Sequence, residues 1–239
     1  MKPLIITSNC LRHLGFINRI REEIEINNSI LVSKLDGIDE FRKSELCQFG
    51  EGWPRWIERM QPIFCSPKQL HSEEIINKIK RINPDICFVF GAPLLKEEIF
   101  SIPRLGCINI HTGLVEHHRG VDSPYWALYE ERPETLGATV HYIDNSIDGG
   151  DIILQRQTQG LSVLDTADDI FMKTCKTGFD LLAENVYNIL NNKIKSRPLV
   201  SRGKLFQKKD MSPEIMQETR SKTRRVIKEF LNGNNSRSV

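Results

Sequence analysis

The chain has 239 residues, of which 39% are hydrophobic and 27% are charged. This composition is ordinary for a globular protein, and the length allows one substantial core or one domain with an appendage. The formal net charge of +2 creates no global field that would attract nucleic acid. No apolar run is long enough to cross a membrane. We therefore expect a protein that neither binds nucleic acid nor spans a membrane.

The six cysteines form no CxxC pair and show no spacing typical of metal ligands. Cys87 and Cys107 fall in apolar runs that indicate strands. Buried, reduced thiols in a cytoplasmic protein are favoured over disulfides or a zinc site, so we expect no metal. The apolar start of the chain, MKPLIITS, is too short for the hydrophobic part of a signal peptide and predicts a first strand instead.

The start of the chain predicts a strand, a turn and a helix. An apolar run over residues 3–7 is followed by a helical pattern over about residues 11–26, with Ser8 and Asn9 as candidate N-caps. This is the usual first unit of a doubly wound sheet, in which ligands bind beyond the carboxyl ends of the strands. The turn lacks the GxGxxG pattern, which argues against a dinucleotide cofactor.

The first turn of this helix carries Arg12 and His13. Free backbone N–H groups at a helix N-terminus favour an anion. Arg12 and the preceding Asn9 are therefore candidates for contacting a charged substrate. The alternative, in which Arg12 and His13 are simply solvated side chains, is equally favoured.

The next segments alternate between regular and irregular patterns. Residues 29–32 predict a short strand, residues 67–82 an amphipathic helix, and residues 86–90 a strand that is apolar on both faces, as in a central parallel position. Residues 36–65 are rich in aromatic side chains and glycine. They allow a lid or substrate-contacting insertion, although a helix pair that packs its aromatic side chains against the core is somewhat favoured.

Residues 106–151 carry the strongest chemical pattern. A short apolar run places Asn109 and His111 two residues apart, so both side chains point to the same face of a strand. A polar amide and an imidazole at the end of a buried strand are costly unless they are paired or used. Asp148 follows in a loop with two glycines beside it. That loop can bring a carboxylate back over the strand end.

These residues carry a resemblance to a known family. Asn-x-His, then RGVDSP at residues 119–124, then TVHYIDNSIDGGD at residues 139–151 resemble the formyltransferases that use 10-formyltetrahydrofolate. The resemblance extends upstream through residues 85–106 and covers the middle third of the chain densely. It implies acyl transfer, in which an amine attacks a formyl carbonyl.

The resemblance also implies roles for individual residues. Asn109 would donate a hydrogen bond to the developing oxyanion. His111 would take the proton from the amine or, as imidazolium, help to hold the oxyanion, and Asp148 would orient His111. The implied folate contacts are Phe90, Pro93, Leu94, Leu95, Asp144 and Ile147. The candidate acceptor contacts are Asn9, Arg12, Arg119 and Gly120.

Three histidines near this motif have competing interpretations. His117 and His118 cluster with Arg119, and together they could bind a phosphate or an acidic group. They are also compatible with a solvated loop, and two adjacent histidines do not suit a metal ion. His141 lies in a predicted strand, where a hydrogen-bonded structural histidine is more common than a catalytic one.

The last part of the chain predicts two strands, over residues 137–143 and 151–155, and a long helix over residues 166–190. Residues 197–210 predict a β-hairpin that turns at Arg202 and Gly203. Residues 212–231 predict a basic helix, whose charges favour a solvated face over contact with nucleic acid.

Together these elements predict an α/β fold: a doubly wound, mostly parallel, Rossmann-like sheet with a C-terminal β-hairpin and helix appendage. We expect a catalytic domain over residues 1–192, a hairpin-helix extension over residues 193–233 and a disordered tail over residues 234–239. The extension is a plausible dimer surface, so a homodimer is expected.

The acceptor is selected by exclusion. Members of the resembling family act on purine ribonucleotides, on methionyl-tRNA and on nucleotide-linked amino sugars. The residues after the long helix are expected to be too few for the C-terminal domain of the tRNA enzymes, and the turn after residue 7 lacks the glycine-rich phosphate loop of the purine enzymes. The expected acceptor is a dTDP- or GDP-linked amino dideoxysugar, used for lipopolysaccharide (O-antigen) biosynthesis. The alternatives are the other two acceptors, a hydrolase that releases formate, and a non-catalytic folate-binding protein.

Overall fold

The computed structural model describes residues 1–32 and 62–235. The aromatic segment at residues 36–65 therefore lies outside the described residues, apart from its last four. Residues 236–239 of the predicted tail also lie outside them.

One mixed sheet contains seven strands: β1 Pro3–Ser8, β2 Ser29–Val32, β3 Ile63–Cys65, β4 Ile86–Phe90, β5 Cys107–His111, β7 Gly137–Tyr142 and β8 Ile152–Gln157. Their order across the sheet is β3-β2-β1-β4-β5-β7-β8. The neighbouring strands β3, β2, β1, β4 and β5 all pair in parallel, whereas β7 runs antiparallel to both β5 and β8. This arrangement confirms the predicted mostly parallel α/β sheet. Two short strands, β6 His118–Gly120 and β9 Lys204–Phe206, pair with each other outside it.

Helices cover both faces of the sheet. They are α1 Leu11–Arg21, α2 Glu73–Ile82, α3 Glu97–Phe100, α4 Ser123–Tyr129, α5 Ala167–Leu190 and α6 Pro213–Asn235. On one face, alternate strand residues such as Phe88 and Ile110 pack against α1, α4 and α5. On the other face, the intervening strand residues such as Val89 pack against α2 and α3. Since each strand residue faces one layer or the other, the central strands are apolar throughout.

Local capping explains where the helices begin. The long helix α5 starts with a capping box between Thr166 and Asp169. Helix α2 begins at Glu73, later than the predicted residue 67, because the Ser72 side chain accepts a hydrogen bond from the backbone N–H of Ile75 and acts as its N-cap.

The boundaries of α1 and α6 differ from the sequence-based expectations. The N-cap of α1 is Cys10, which makes no side-chain cap hydrogen bond. Neither Ser8 nor Asn9 is the cap, and the helix ends at Arg21 instead of residue 26. Helix α6 continues to Asn235, into the segment predicted as a disordered tail.

The predicted β-hairpin over residues 197–210 is wrong. Arg197 forms an antiparallel bridge with Ile152 of the main sheet, and β9 pairs in parallel with β6. Burial of Phe206 explains this choice, since its ring stacks on Trp126 with 4.1 Å between the centroids. Contacts with a distant part of the chain thus outweigh the local turn at Gly203.

Five cysteines in the part of the chain that the structure describes carry free thiols: Cys10, Cys65, Cys87, Cys107 and Cys175. Cys47 lies outside the described residues. Among the described helices, none combines the length and the apolar character needed to cross a membrane.

Candidate active site

A cavity of about 410 Å³ opens where the carboxyl ends of β1, β4 and β5 meet. It is lined by the first turn of α1, by residues 89–95 and 109–112, by residues 120–122, and by the segment between β7 and β8. Strands β1 and β4 are adjacent in the sheet, and the chain winds outward from them in opposite directions. Doubly wound sheets bind ligands at such a switch point, and the volume is typical of a small-molecule site.

Asn109 and His111 reach this cavity from β5, on the same face of the strand, as their spacing predicts. The Nε2 atom of His111 lies 2.9 Å from the backbone carbonyl of His118 and 3.1 Å from Oγ of Ser123. A carbonyl oxygen can only accept, so Nε2 carries the proton in the neutral ring and Nδ1 carries the lone pair.

Asp148 lies against the opposite edge of this imidazole. Its Oδ2 atom is 3.2 Å from Nδ1 of His111 and accepts a 2.8 Å hydrogen bond from the backbone N–H of Gly120. Burial favours a raised pKa for the Asp148 carboxyl, but the charges that His111 and His141 carry at low pH and the hydrogen bond from the backbone of Gly120 outweigh it and hold the pKa well below its usual range. Asp148 is therefore ionised at neutral pH.

The pKa of His111 lies below its ordinary value. Burial is the main cause, because the ring is only 4% exposed and loses the solvation that favours its charged form. Asp148 opposes this shift, whereas the charges of His141 and Arg119 add to it. The ring is thus neutral near pH 7 and faces a carboxylate that would stabilise a proton arriving on Nδ1.

His141 is a fourth member of this cluster, although its place in a predicted strand indicates a structural histidine. It faces Asn109 across the antiparallel β5–β7 pair. Its Nδ1 donates to the backbone carbonyl of Tyr142 at 2.8 Å, which leaves Nε2 to accept from the Asn109 amide at 3.2 Å. The same Nε2 lies 3.4 Å from Asp148. The pairing of β5 with β7 is the signal that would have placed His141 beside Asn109.

Five of the six folate candidates line the cavity: Phe90, Pro93, Leu94, Leu95 and Ile147. Leu94 is 64% exposed and Ile147 is 39% exposed. Large apolar side chains in such open positions suit a flat ring that would cover them. Asp144 does not line the cavity. Its carboxylate accepts hydrogen bonds from the backbone N–H and the hydroxyl of Ser146 within the loop.

The acceptor candidates divide into two pairs. Arg12 and Gly120 line the cavity, whereas Asn9 and Arg119 are not among its lining residues. Arg12 lies over the ring of Phe171, 5.9 Å from its centroid. The guanidinium of Arg119 instead donates to the backbone carbonyls of Gly203 and Ile147.

His13, His117 and His118 have structural surroundings. His13 is buried and its Nδ1 contacts Thr7 and Ser8. His118 is buried against Phe206 and pairs with Glu130 at 3.0 Å. Neither His117 nor His118 lines the cavity, so the predicted basic cluster for a phosphate does not form there.

Within residues 1–32 and 62–235, His, Cys, Asp and Glu side chains do not assemble in groups of three or more suited to hold a metal ion. Asn109, His111, His141 and Asp148 contact one another at the inner wall of the cavity. The arrangement can accept a proton at one point and donate a hydrogen bond at another, which is what acyl transfer between nitrogen atoms requires.

Comparison with known proteins gives sequence relatives and structural neighbours. A methionyl-tRNA formyltransferase of Clostridioides difficile is 36% identical over 132 residues, which is 54% of this chain and 41% of that protein. The first curated relatives are thus matched over less than half of their own length.

Two solved structures share the fold. A 4-N formyltransferase from Francisella tularensis has a TM-score of 0.64 at 19% identity, and the match covers 91% of this chain and 86% of that chain. An N-formyltransferase from Helicobacter canadensis, in complex with folinic acid and dTDP-3-aminofucose, has a TM-score of 0.60 at 18% identity and covers 92% of this chain and 80% of that chain.

The sequence profile of the formyl transferase family matches residues 9–186. This range includes most of the sheet and every residue of the Asn109, His111, His141 and Asp148 cluster. It also spans more than half of the chain. The chain therefore belongs to the formyl transferase family.

Proposed function

We propose that this protein is an N-formyltransferase that moves the formyl group of 10-formyltetrahydrofolate to the amine of a nucleotide-linked amino sugar. The observation that carries this proposal is the contact between His111 and Asp148, next to Asn109, in a cavity at the switch point of the sheet. Family membership supports the reaction type, and the neighbour crystallised with folinic acid and an amino sugar nucleotide supports both ligands.

The folate would occupy the apolar side of the cavity. Leu94 and Ile147 present exposed apolar surface there, next to the buried Phe90 and Leu95. When bound, 10-formyltetrahydrofolate would supply the formyl group. The carbonyl of that group must then reach Asn109, and the acceptor must enter from the side of Arg12 and Phe171.

The reaction needs an unprotonated amine next to a base. His111 suits this role, because its Nε2 proton is held by the His118 carbonyl and its Nδ1 carries a lone pair, beside Asp148, that can take a proton. Once Nδ1 is protonated, it becomes a donor to Asp148 Oδ2 at 3.2 Å. Asp148 thereby stabilises the imidazolium that forms as the amine attacks.

Asn109 suits the role of oxyanion donor. One hydrogen of its amide points to His141 at 3.2 Å, and the contact with Asp148 is long at 3.4 Å. A negatively charged oxygen would compete well with that long contact. The new C–N bond forms at the acceptor nitrogen, the bond from the formyl carbon to the folate nitrogen breaks, and His111 returns the proton to the folate nitrogen.

The acceptor is the finer part of the proposal. The structural neighbour in complex with dTDP-3-aminofucose matches 92% of this chain, which favours a sugar nucleotide. Sequence relatives at 30% and 36% identity are named methionyl-tRNA formyltransferase. Methionyl-tRNA is therefore the second candidate acceptor, and a purine ribonucleotide is the third.

The proposal extends to the setting of the reaction. A formylated amino sugar nucleotide would serve lipopolysaccharide (O-antigen) biosynthesis in the cytoplasm.

We also propose a homodimer and a domain division near residue 192. Helix α6 packs on its own chain, since Ile227 is buried and Arg225 pairs with Glu131 at 2.7 Å. Light scattering of the purified protein would test the dimer.

The test is a direct assay of formyl transfer. The protein is incubated with 10-formyltetrahydrofolate and a panel of nucleotide-linked 3-amino and 4-amino dideoxysugars, including dTDP-3-aminofucose. Mass spectrometry then detects a gain of one formyl group. We expect a gain on one sugar that is lost in Asn109→Ala. Transfer only to methionyl-tRNA or to a purine ribonucleotide would overturn the acceptor, and formate release without any acceptor would indicate a hydrolase.

A further inference from the structure

The surroundings of Arg119 differ from those of a substrate contact. Its Nε atom donates to the backbone carbonyl of Gly203 at 2.9 Å, and its Nη1 atom donates to the backbone carbonyl of Ile147 at 3.1 Å. Ile147 directly precedes Asp148, and Gly203 directly precedes β9. We propose that Arg119 is a positioning residue that joins the C-terminal strand β9 to the loop carrying Asp148, and so holds the catalytic carboxylate against His111.

The strand that carries Arg119 is itself anchored to the C-terminal segment. Backbone hydrogen bonds run from Gly203 to Val115 at 2.9 Å and from Lys204 to His117 at 3.0 Å. Another runs from Val121 to the carbonyl of Phe206 at 3.1 Å. Strands β6 and β9 therefore form one unit, and Arg119 extends from this unit to the Asp148 loop.

The same unit reaches Asp148 by a second route. Gly120, the neighbour of Arg119, donates its backbone N–H to Asp148 Oδ2 at 2.8 Å. A Cβ atom on Gly120 would lie 2.0 Å from the carbonyl oxygen of Phe206. Strand β9 thus packs directly behind the peptide that binds the carboxylate, so a shift of β9 would move both contacts at once.

The Asp148 loop needs external support. Asp148 has a φ of +46°, in the left-handed region that residues other than glycine rarely adopt. Such a conformation persists only when its surroundings hold it in place. Arg119 suits this task because its planar guanidinium can donate to two carbonyls in fixed directions, whereas a lysine donates from a single point.

The first test needs no substrate. Amide hydrogen exchange over residues 144–150 is compared in the wild type, Arg119→Met, Arg119→Lys and the control Arg156→Met, which removes an arginine that pairs with Glu184 away from the cavity. We expect faster exchange of this loop in Arg119→Met, a smaller increase in Arg119→Lys and none in Arg156→Met. Unchanged exchange in Arg119→Met would overturn the proposal. If Arg119→Met does not fold, Arg119→Lys carries the comparison.

The second test is kinetic and rests on the proposed function. With 10-formyltetrahydrofolate and the sugar nucleotide found active, such as dTDP-3-aminofucose, we expect Arg119→Met to lower kcat about 10- to 100-fold, since small displacements of a catalytic group have effects of this size. Both KM values should stay within about threefold of the wild type. Methylguanidinium should restore part of the turnover of Arg119→Ala.

The outcomes separate the two proposals. A raised KM for the sugar nucleotide with unchanged kcat would show that Arg119 contacts substrate, which overturns the positioning role. An inactive wild-type protein would instead contradict the proposed function. The exchange experiment would still decide whether Arg119 holds the Asp148 loop.

Discussion

The Nδ1 atom of His111 lies 3.2 Å from the Oδ2 atom of Asp148, and the two side chains are 4% and 14% exposed. Burial lowers the pKa of His111, whereas the pKa of Asp148 stays well below its usual range despite its own burial. The pair therefore consists of a neutral base beside a fixed negative charge. This arrangement favours the transfer of a proton from an amine to the ring.

Replacing Asp148 with Asn tests the charge with little change of shape. Asp148→Asn removes the interaction that raises the pKa of His111, so the imidazolium becomes less stable. We expect kcat to fall about 10²- to 10⁴-fold, the range that a positioned acid or base contributes. Steady-state formyl transfer measures the effect, and circular dichroism checks the fold. Turnover within threefold of the wild type would contradict the role of Asp148.

Replacing Asn109 tests the oxyanion donor. Asn109→Ala leaves His111 and Asp148 in contact but removes the amide that faces His141. We expect turnover to fall about 10²- to 10³-fold, as for other oxyanion donors. His111→Ala should lose most of its turnover as well. Thermal melting checks that both variants are folded. Near-normal turnover in both folded variants would contradict the assignment of the site.

The folate side of the cavity is tested at its exposed rim. Leu94→Asp places a charge where a flat ring would pack, on a side chain that is 64% exposed. We expect KM for 10-formyltetrahydrofolate to rise about tenfold or more, since burial of a leucine is worth ~1.5–3 kcal/mol, while the melting temperature changes little. Val200→Asp is the matched control, because Val200 is 89% exposed and does not line the cavity. Equal effects of the two substitutions would argue against a folate contact at Leu94.

Replacing Gly120 with Ala tests how closely β9 packs against the active site. Gly120 has a φ of +87°, and an added Cβ would lie 2.0 Å from a backbone oxygen of Phe206. We expect Gly120→Ala to lower the free energy of unfolding by more than about 2 kcal/mol, from backbone strain and overpacking together. Gly160 also has a positive φ, of +68°, but it has open space around it. In Gly160→Ala, the free energy of unfolding should therefore fall only by the cost of the backbone strain. Urea unfolding compares the two, and equal losses would contradict the predicted clash.

Buried His118 predicts a pH dependence of stability. Burial lowers its pKa below 6.5 despite the partner Glu130, so the unfolded chain binds this proton more readily than the folded chain. The resulting stability is complete above pH 6.5 and is lost as the pH falls through that value towards the folded pKa. Buried His111 acts in the same direction.

The measurement is the melting temperature between pH 7.5 and pH 5.5. We expect it to fall in the wild type and to fall less steeply in His118→Gln, which keeps a hydrogen-bond donor for Glu130 but does not titrate in this range. The absolute melting temperature of the variant is not the readout, because the ring also stacks on Phe206. Identical slopes would show that His118 has the same pKa in both states.

The hairpin prediction shows where sequence reasoning reaches its limit. Residues 197–210 contain a good local turn, yet β9 pairs with β6, more than eighty residues earlier in the chain. The burial of Phe206 against Trp126 and His118 stabilises this pairing, and no local sequence pattern encodes those partners. The same docking directs Arg119 to two carbonyls, away from the cavity that the sequence assigns to it.

Local sequence patterns are sufficient to predict several features of the site and the fold. The spacing of Asn109 and His111 requires a shared strand face, the apolar spacing of residues 166–190 requires a helix, and the loop with Gly149 and Gly150 lets Asp148 return to the strand end. Strand pairing and docking establish instead that His141 faces Asn109, that Asp144 and Asn9 lie off the cavity, and that Arg119 contacts Gly203 and Ile147. Those features depend on strand pairing and docking between distant segments, whose free energy comes from burial that no single segment contains.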